Sequence, residues 1–134
     1  MPVIRVLMID DDPVVRRTIA RMLAPPDYEM TLAQDGLVGI EHYRQMGCDV
    51  VITDMIMPVK EGIETILELR VIAPSLPILA ISVGRQSGSA DLLKLSHRLG
   101  ATEILPKPFT ASQLRAAIDK CLRPQTDLDG NDFS

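Results

Sequence analysis

Five polar side chains follow apolar segments of the sequence, and their types suit phosphoryl chemistry. They are Asp10, Asp11, Asp54, Ser82 and Lys107. Carboxylates that converge repel one another, by about 4 kcal/mol per pair at 4 Å for an effective dielectric near 20, so a cation must offset them. Oxygen ligands without a neighbouring His or Cys favour Mg²⁺, which takes one or two carboxylates and keeps several waters. A lysine and a hydroxyl beside such a site could contact a phosphoryl group held covalently as an aspartyl phosphate.

Each of these residues also has a simpler interpretation. Asp54 could cap the element that follows it, because Asp is common in turns and caps. The acidic triplet that begins at Asp10 stands before Pro13 and could be a helix cap. A serine or lysine in a loop is usually only solvated. The phosphoryl interpretation therefore depends on whether the fold brings the five side chains together.

The segments that precede these residues predict a parallel sheet. Short apolar runs cover residues 3–9, 28–33, 50–54, 77–82 and 102–105. Helical patterns separate or follow them, with starts near residues 13, 36, 63, 92 and 110–112. This alternation implies right-handed crossovers and a doubly wound α/β fold with helices on both faces. In such folds the functional crevice lies at the carboxyl ends of the strands, where all five polar side chains fall.

The composition indicates one small domain and excludes several classes of function. The 134 residues, 46% of them hydrophobic, fit a single core over residues 1–122, and the polar residues 123–134 are expected to form a disordered tail or linker. A net charge of -4 argues against direct nucleic-acid binding. Cys48 and Cys121 have no metal-binding or disulfide spacing. Without a signal-peptide pattern or a long apolar run, the chain is expected to be cytoplasmic and not bound to membranes.

Motifs of the common nucleotide-binding and hydrolytic sites are absent from the sequence. No GxGxxG follows the first strand, and no GxxxxGK[ST] occurs anywhere. No GxSxG surrounds Ser82, and His42 and His97 both fall within predicted helices away from the strand ends. The acidic residues therefore remain the best candidates for chemistry.

The sequence resembles the receiver domain of bacterial two-component response regulators. The resemblance covers about residues 3–122 and is carried by VLMIDDDP, ITDMIMP, ILAIS and LPKPF, in that order and spacing. It implies a flavodoxin-like sheet of five parallel strands in the order 2-1-3-4-5.

The resemblance also implies the ligands of a Mg²⁺ site. Asp54 resembles the phosphoacceptor, which also contacts the metal. Asp11 resembles the direct metal ligand, and Asp10 is expected to act through a metal-bound water. The backbone carbonyl of Ile56 would complete the site.

Two further residues match the positions that contact the phosphoryl group. Ser82 resembles the hydroxyl residue that moves to meet it, and Lys107 resembles its ion-pair partner. By the same resemblance the bond between Lys107 and Pro108 is expected to be cis, which costs little before proline.

Two positions depart from the family pattern. Ile104 stands where an aromatic residue usually reports phosphorylation by rotating inward, and Val83 stands where a small Ala or Gly is usual. We therefore expect the signal to pass through movement of the loop at residues 84–89 and the helix after it.

The resemblance implies a phosphorylation-dependent signalling switch. Its expected partners are a histidine kinase or phosphotransfer protein and a downstream protein, and the chain is expected to be a monomer or weak dimer. It would catalyse only its own phosphorylation and slow dephosphorylation, so it is not a conventional enzyme. One alternative is a Mg²⁺-dependent phosphohydrolase, which usually has a second acid where Ile56 stands. The other is a pseudo-receiver that never needs phosphate, against which the intact acidic pair argues.

Overall fold

Strands and helices alternate along the chain. The computed structural model describes residues 2–55, 59–83, 94–95 and 97–123. The elements are β1 (Ile4–Ile9), α1 (Pro13–Met22), β2 (Tyr28–Ala33), α2 (Gly36–Met46), β3 (Val50–Asp54), α3 (Val59–Ile72), β4 (Ile78–Val83), β5 (Glu103–Lys107) and α4 (Ala111–Leu122). Residues 94–95 and 97–99 are also helical.

The five strands form one parallel sheet in the order β2-β1-β3-β4-β5. One row across the sheet joins Ile9, Thr53, Ala80 and Ile104 as successive partners. The carboxyl ends of β1, β3, β4 and β5 therefore meet at one edge. This confirms the predicted doubly wound α/β fold and its strand order.

Side chains of the sheet alternate between two apolar cores. On one face, strand residues such as Leu7 and Val51 pack with Ile40 of α2 and Leu69 of α3. On the other face, strand residues such as Met8 and Ile52 pack with Ile19 of α1 and Leu114 of α4. We call these the α2/α3 core and the α1/α4 core. Because both faces are covered, the central strands consist of nearly continuous apolar residues.

The helix that follows β1 begins as the sequence predicts. The Asp12 side chain accepts a hydrogen bond from the Val14 amide, and Pro13 occupies the first turn. Proline suits that position because its missing N–H group would have no partner within the helix. This cap fixes where the chain turns immediately after Asp10 and Asp11.

The last strand and the third helix are longer than predicted. The sequence prediction ended β5 before Pro106, but the strand continues through it to Lys107. Proline is tolerated there because β5 is an edge strand. Helix α3 begins at Val59, ahead of Gly62, rather than near residue 63. A Cβ at Gly62 would lie 3.4 Å from the end of the Met55 side chain, which is an ordinary contact distance, so this part of α3 packs against the residue that follows β3.

Several sequence predictions concern residues outside the described ranges. These are the backbone carbonyl of Ile56, the loop at residues 84–89 and nearly all of the tail, residues 124–134. The domain boundary at residue 122 also remains a prediction. No helix in the described part of the chain is long and apolar enough to cross a membrane.

Candidate functional site

Two buried carboxylates lie side by side where β1 and β3 end. Asp10 directly follows β1, and Asp54 is the last residue of β3, its neighbour in the sheet. Asp10 is 0% exposed and Asp54 4% exposed. Each stands two positions after a residue of the α1/α4 core, Met8 and Ile52 respectively. The alternation of strand side chains therefore directs both carboxylates to the same face of the sheet.

Lys107 forms an ion pair with Asp54. Its Nζ lies 2.9 Å from Asp54 Oδ2, with side chains 20% and 6% exposed respectively. Lys107 ends β5 two positions after Leu105, which packs on the α1/α4 core. The ammonium group thus reaches Asp54 across the end of β4. A charge-assisted bond of this length in a nearly buried site holds the Asp54 carboxylate in one position.

Asp10 forms no ion pair with a described residue. Burial, and after it the adjacent Asp54 carboxyl, raise the pKa of the Asp10 carboxyl from 3.8 to about 7, although the Asp12 amide and Lys107 act in the opposite direction. Oδ1 accepts a hydrogen bond from the Asp12 amide at 2.8 Å. Oδ2 is buried and has no hydrogen-bond partner within the described structure. Among the described residues, Lys107 is the cation that forms an ion pair with this pair of buried carboxylates, and it does so through Asp54.

The arrangement fits a small divalent cation. Asp10 Oδ2 and the neighbouring Asp54 offer oxygen ligands, and a cation between them would relieve the repulsion that raises the pKa of Asp10. Among the described residues no group of three or more His, Cys, Asp or Glu side chains could hold a metal. Mg²⁺ does not require such a group, because it keeps several waters beside one or two carboxylates. Asp11 is exposed in the turn just past Asp10.

Ser82 occupies the same edge of the sheet but the opposite face. It lies opposite Pro106 in the register of β4 and β5, and two positions after Ala80 of the α2/α3 core. Its side chain is 0% exposed, and Oγ has no hydrogen-bond partner in the part of the chain that the structure describes. A buried hydroxyl without a partner is costly, so Ser82 would gain from an acceptor brought to this edge.

Sequence reasoning missed two polar side chains near the site. Thr53, next to Asp54, is fully buried, and its Oγ1 also lacks a partner among the described residues. The Arg16 guanidinium donates to the backbone carbonyl of Asp10 at 2.7 Å. A threonine inside an apolar run could have drawn attention to the first. The contact from Arg16 spans six residues around a turn, and no sequence pattern indicates it.

Ile104 lies further from the strand ends than the ion pair. It stands opposite Ala80, three positions before Lys107, and packs half-buried against the α2/α3 core. This is the face opposite to that of Asp54 and Lys107, and it is the position where the family pattern usually has an aromatic residue. The prediction that signal transmission avoids an aromatic rotamer at this position stays a prediction.

Two cavities differ in their relation to the site. An apolar groove of about 250 Å³ adjoins Lys107 and is lined also by Val14, Val15, Thr18, Ile19, Met22, Pro108 and Phe109. A larger cavity of about 620 Å³ is lined by Arg70, Pro77 and Thr102, which lie at the opposite ends of β4 and β5. Of these two, the groove on α1 adjoins the candidate site, because Lys107 lines it. The bond between Lys107 and Pro108, at one end of this groove, is cis as predicted.

Comparison with known proteins identifies the family. The family model for the response regulator receiver domain matches residues 6–119. The chain belongs to this family. This receiver domain is 38% identical over 130 residues to the response regulator MprA of Mycolicibacterium vanbaalenii, an alignment that covers 97% of this chain and 54% of that protein. For MprA of Mycobacterium leprae the identity is 36% over 119 residues, covering 89% and 51%.

Solved structures of receiver domains have the same fold. A response regulator receiver domain protein from Clostridium thermocellum superposes with a TM-score of 0.80 at 30% identity, covering 90% of this chain and 94% of that one. The chemotaxis response regulator CheY4 of Vibrio cholerae gives 0.76 at 28% identity, covering 90% and 100%. The receiver domain spans about half the length of the curated relatives it matches. Receiver domains generally use Mg²⁺ for their phosphorylation, and response regulators receive phosphate from histidine kinases and act on downstream targets.

Proposed function

We propose that Asp54 accepts a phosphoryl group from a histidine kinase or a histidine phosphotransfer protein, in a Mg²⁺-dependent reaction, and that this modification switches the surface offered to a downstream protein. The observation that carries the proposal is the buried ion pair between Asp54 and Lys107 beside the buried carboxyl of Asp10. A purely structural ion pair would not need a second buried acid next to it. A site that binds a cation to stabilise the negative charge of a transferred phosphoryl group does need a second acid, because the acid helps to hold the cation.

The reaction requires little of the protein beyond position and charge. A carboxylate oxygen of Asp54 attacks the phosphorus of the donor phosphohistidine, the bond between phosphorus and the imidazole nitrogen breaks, and the nitrogen takes its next proton from water. The product is an acyl phosphate on Asp54. Lys107 holds the attacking carboxylate in place beforehand. It is then available to pair with a phosphoryl oxygen, while the hydroxyl of Ser82, which has no partner among the described residues, can donate to another.

We assign the predicted metal ligands to the same edge of the sheet. Asp11 and Asp54 would bind Mg²⁺ directly, Asp10 through a water, and the backbone carbonyl of Ile56 would complete the set. When bound, Mg²⁺ would neutralise negative charge on the group being transferred. Two features support this assignment: Asp10 Oδ2 has no hydrogen-bond partner among the described residues, and all the proposed donors are oxygens.

The groove on α1 offers a place for the phosphodonor to dock. It is apolar, it adjoins Lys107, and Val14 on its rim is 58% exposed. A donor helix packed there would lie close to the edge of the sheet where Asp54 sits. Docking of an apolar helix face into a groove is a common mode of recognition.

The metal assignment is tested with two matched variants of the acidic turn. Asp11→Asn should abolish Mg²⁺-dependent phosphate uptake, whereas Asp12→Asn should keep it, because an asparagine can still cap α1. Uptake is measured as acid-labile phosphate after incubation with a phosphorylated histidine kinase, with and without EDTA. Wild-type Mg²⁺ dependence in Asp11→Asn would contradict the assignment. Failure of the wild-type protein to take phosphate from any kinase of a purified panel would contradict the proposed function.

A further inference from the structure

The turn between β1 and α1 is held by a contact from α1 itself. Arg16, on the first part of α1, is half-buried, and its Nη1 donates to the backbone carbonyl of Asp10 at 2.7 Å. The helix thus reaches back over its own N-terminus to the residue that follows β1. We call residues 10–12 the acidic turn.

The other polar groups of Asp10 are also fixed. Its amide donates to the Ala33 carbonyl at 3.1 Å, and Oδ1 accepts from the Asp12 amide at 2.8 Å. With the carbonyl held by Arg16, only Oδ2 is left without a partner among the described residues. That oxygen is the one available to a cation or to a water bound to it. The hydrogen bonds to the other polar atoms of Asp10 therefore hold its carboxyl group so that Oδ2 is the oxygen left for a ligand.

The bond from Arg16 also sets the direction of Asp11. The carbonyl it holds belongs to the peptide group that joins Asp10 to Asp11. Since that peptide is planar, fixing the carbonyl fixes the orientation of the amide of Asp11. The N–Cα bond of Asp11 then leaves the turn in a defined direction, which restricts the region that its exposed side chain can reach; that side chain has no hydrogen-bond or ion-pair partner within the described ranges.

We propose that Arg16 is a positioning residue for the Mg²⁺ site, holding the peptide between Asp10 and Asp11 so that both carboxylates are placed for the cation before it binds. This inference rests on the proposed function, since it assumes that the acidic turn binds Mg²⁺. Arg16 acts through geometry: its guanidinium bonds the backbone and forms no ion pair with any described carboxylate. Partners that orient metal ligands typically contribute about 10- to 100-fold to metal affinity.

Arg17 provides a matched control. It is the next residue of the same helix, it carries the same charge, and it is exposed. Its side chain makes no hydrogen bond or ion pair to the described residues. Arg16→Met and Arg17→Met remove the same charge at nearly the same distance along the chain. A difference between them therefore reports the hydrogen bond rather than the net charge of the protein.

The experiment compares Mg²⁺ affinity of the full chain by isothermal titration calorimetry. Arg16→Met should weaken Mg²⁺ binding by about tenfold or more. Arg17→Met should bind as the wild type does, and Arg16→Lys, which keeps a donor, should recover part of the loss. Equal affinity of Arg16→Met and Arg17→Met would overturn the inference. If Arg16→Met does not fold, Arg16→Lys becomes the test. Wild-type Mg²⁺ affinity in Arg16→Lys, together with faster hydrogen exchange at the Asp12 amide, would overturn the inference, because the turn would then be loosened without any effect on the metal.

A second readout needs no metal. In EDTA, Arg16→Met should speed hydrogen exchange at the Asp12 amide, which bonds Asp10 Oδ1, and leave exchange in β4 unchanged. Unchanged exchange at Asp12 would show that Arg16 does not order the turn and would overturn the inference. If the wild-type protein bound no Mg²⁺ but Arg16→Met still loosened the turn, the proposed metal site would fail while the positioning of Asp10 stood.

Discussion

Replacing Asp10 by asparagine should stabilise the metal-free protein at neutral and alkaline pH. The pKa of Asp10 rises from 3.8 to about 7 on folding because its carboxyl is buried beside Asp54. The folded state therefore binds more protons than the unfolded state between these values, and stability falls as pH rises. At 1.36 kcal/mol per unit of pKa, the whole effect is about 4 kcal/mol. Between about pH 5 and about pH 8 it amounts to roughly 3 kcal/mol.

The side chain introduced by Asp10→Asn fits the site without the charge. Its carbonyl oxygen can accept from the Asp12 amide, and its NH₂ group can donate to Asp54. Urea unfolding in EDTA at both pH values should show a steep loss of stability in the wild-type protein and a much flatter profile in Asp10→Asn. The exposed Asp12→Asn variant, which keeps the helix cap, should retain the wild-type slope. Identical slopes in wild type and Asp10→Asn would refute the account of the acidic pair.

Other consequences of the structure can be measured in the same way. Lys107→Met should cost about 3 kcal/mol in urea unfolding, because it leaves Asp54 buried without its cation, and most of this cost should vanish in an Asp54→Asn background. A cost independent of Asp54 would contradict the pairing. Ser82→Ala should leave the unphosphorylated protein equally or slightly more stable by thermal unfolding, since it removes a hydroxyl that has no partner in the described part of the chain, and it should lower phosphate uptake. Marked destabilisation would contradict this. Gly39→Ala should destabilise by about 1–3 kcal/mol because its Cβ would lie 2.4 Å from Ile9 Cδ1; a stability gain, as expected for an unhindered helix position, would contradict this close packing.

The sequence was sufficient to predict the fold because its signals are local and periodic. Apolar runs ending at Asp10, Asp54 and Ser82 located three strand ends, and the alternation with helices required a parallel sheet. The cap formed by Asp12 followed from residue type and position alone. The structure confirms these features, with β4 continuing one residue past Ser82, and it also confirms the strand order 2-1-3-4-5 that the resemblance to receiver domains implied.

The remaining features depend on contacts between distant segments. The extension of β5 through Pro106 depends on its place at the sheet edge, which residue propensities do not encode. The raised pKa of Asp10 depends on burial and on the nearness of Asp54, and both arise only from packing. The contact from Arg16 depends on the path of the acidic turn. The roles of Ile56 and the loop at residues 84–89 remain predictions, since these lie outside the described residues.

Modification of Asp54 is the central claim, and its most direct test is the mass of the intact protein after incubation with a phosphodonor and Mg²⁺. The wild-type chain should gain the mass of one phosphoryl group, which acid-labile chemistry and peptide mapping should place on Asp54. Asp54→Asn should gain none, and EDTA should suppress the gain in the wild type. Phosphorylation of Asp54→Asn at the wild-type rate, or of another residue in the wild type, would contradict the account.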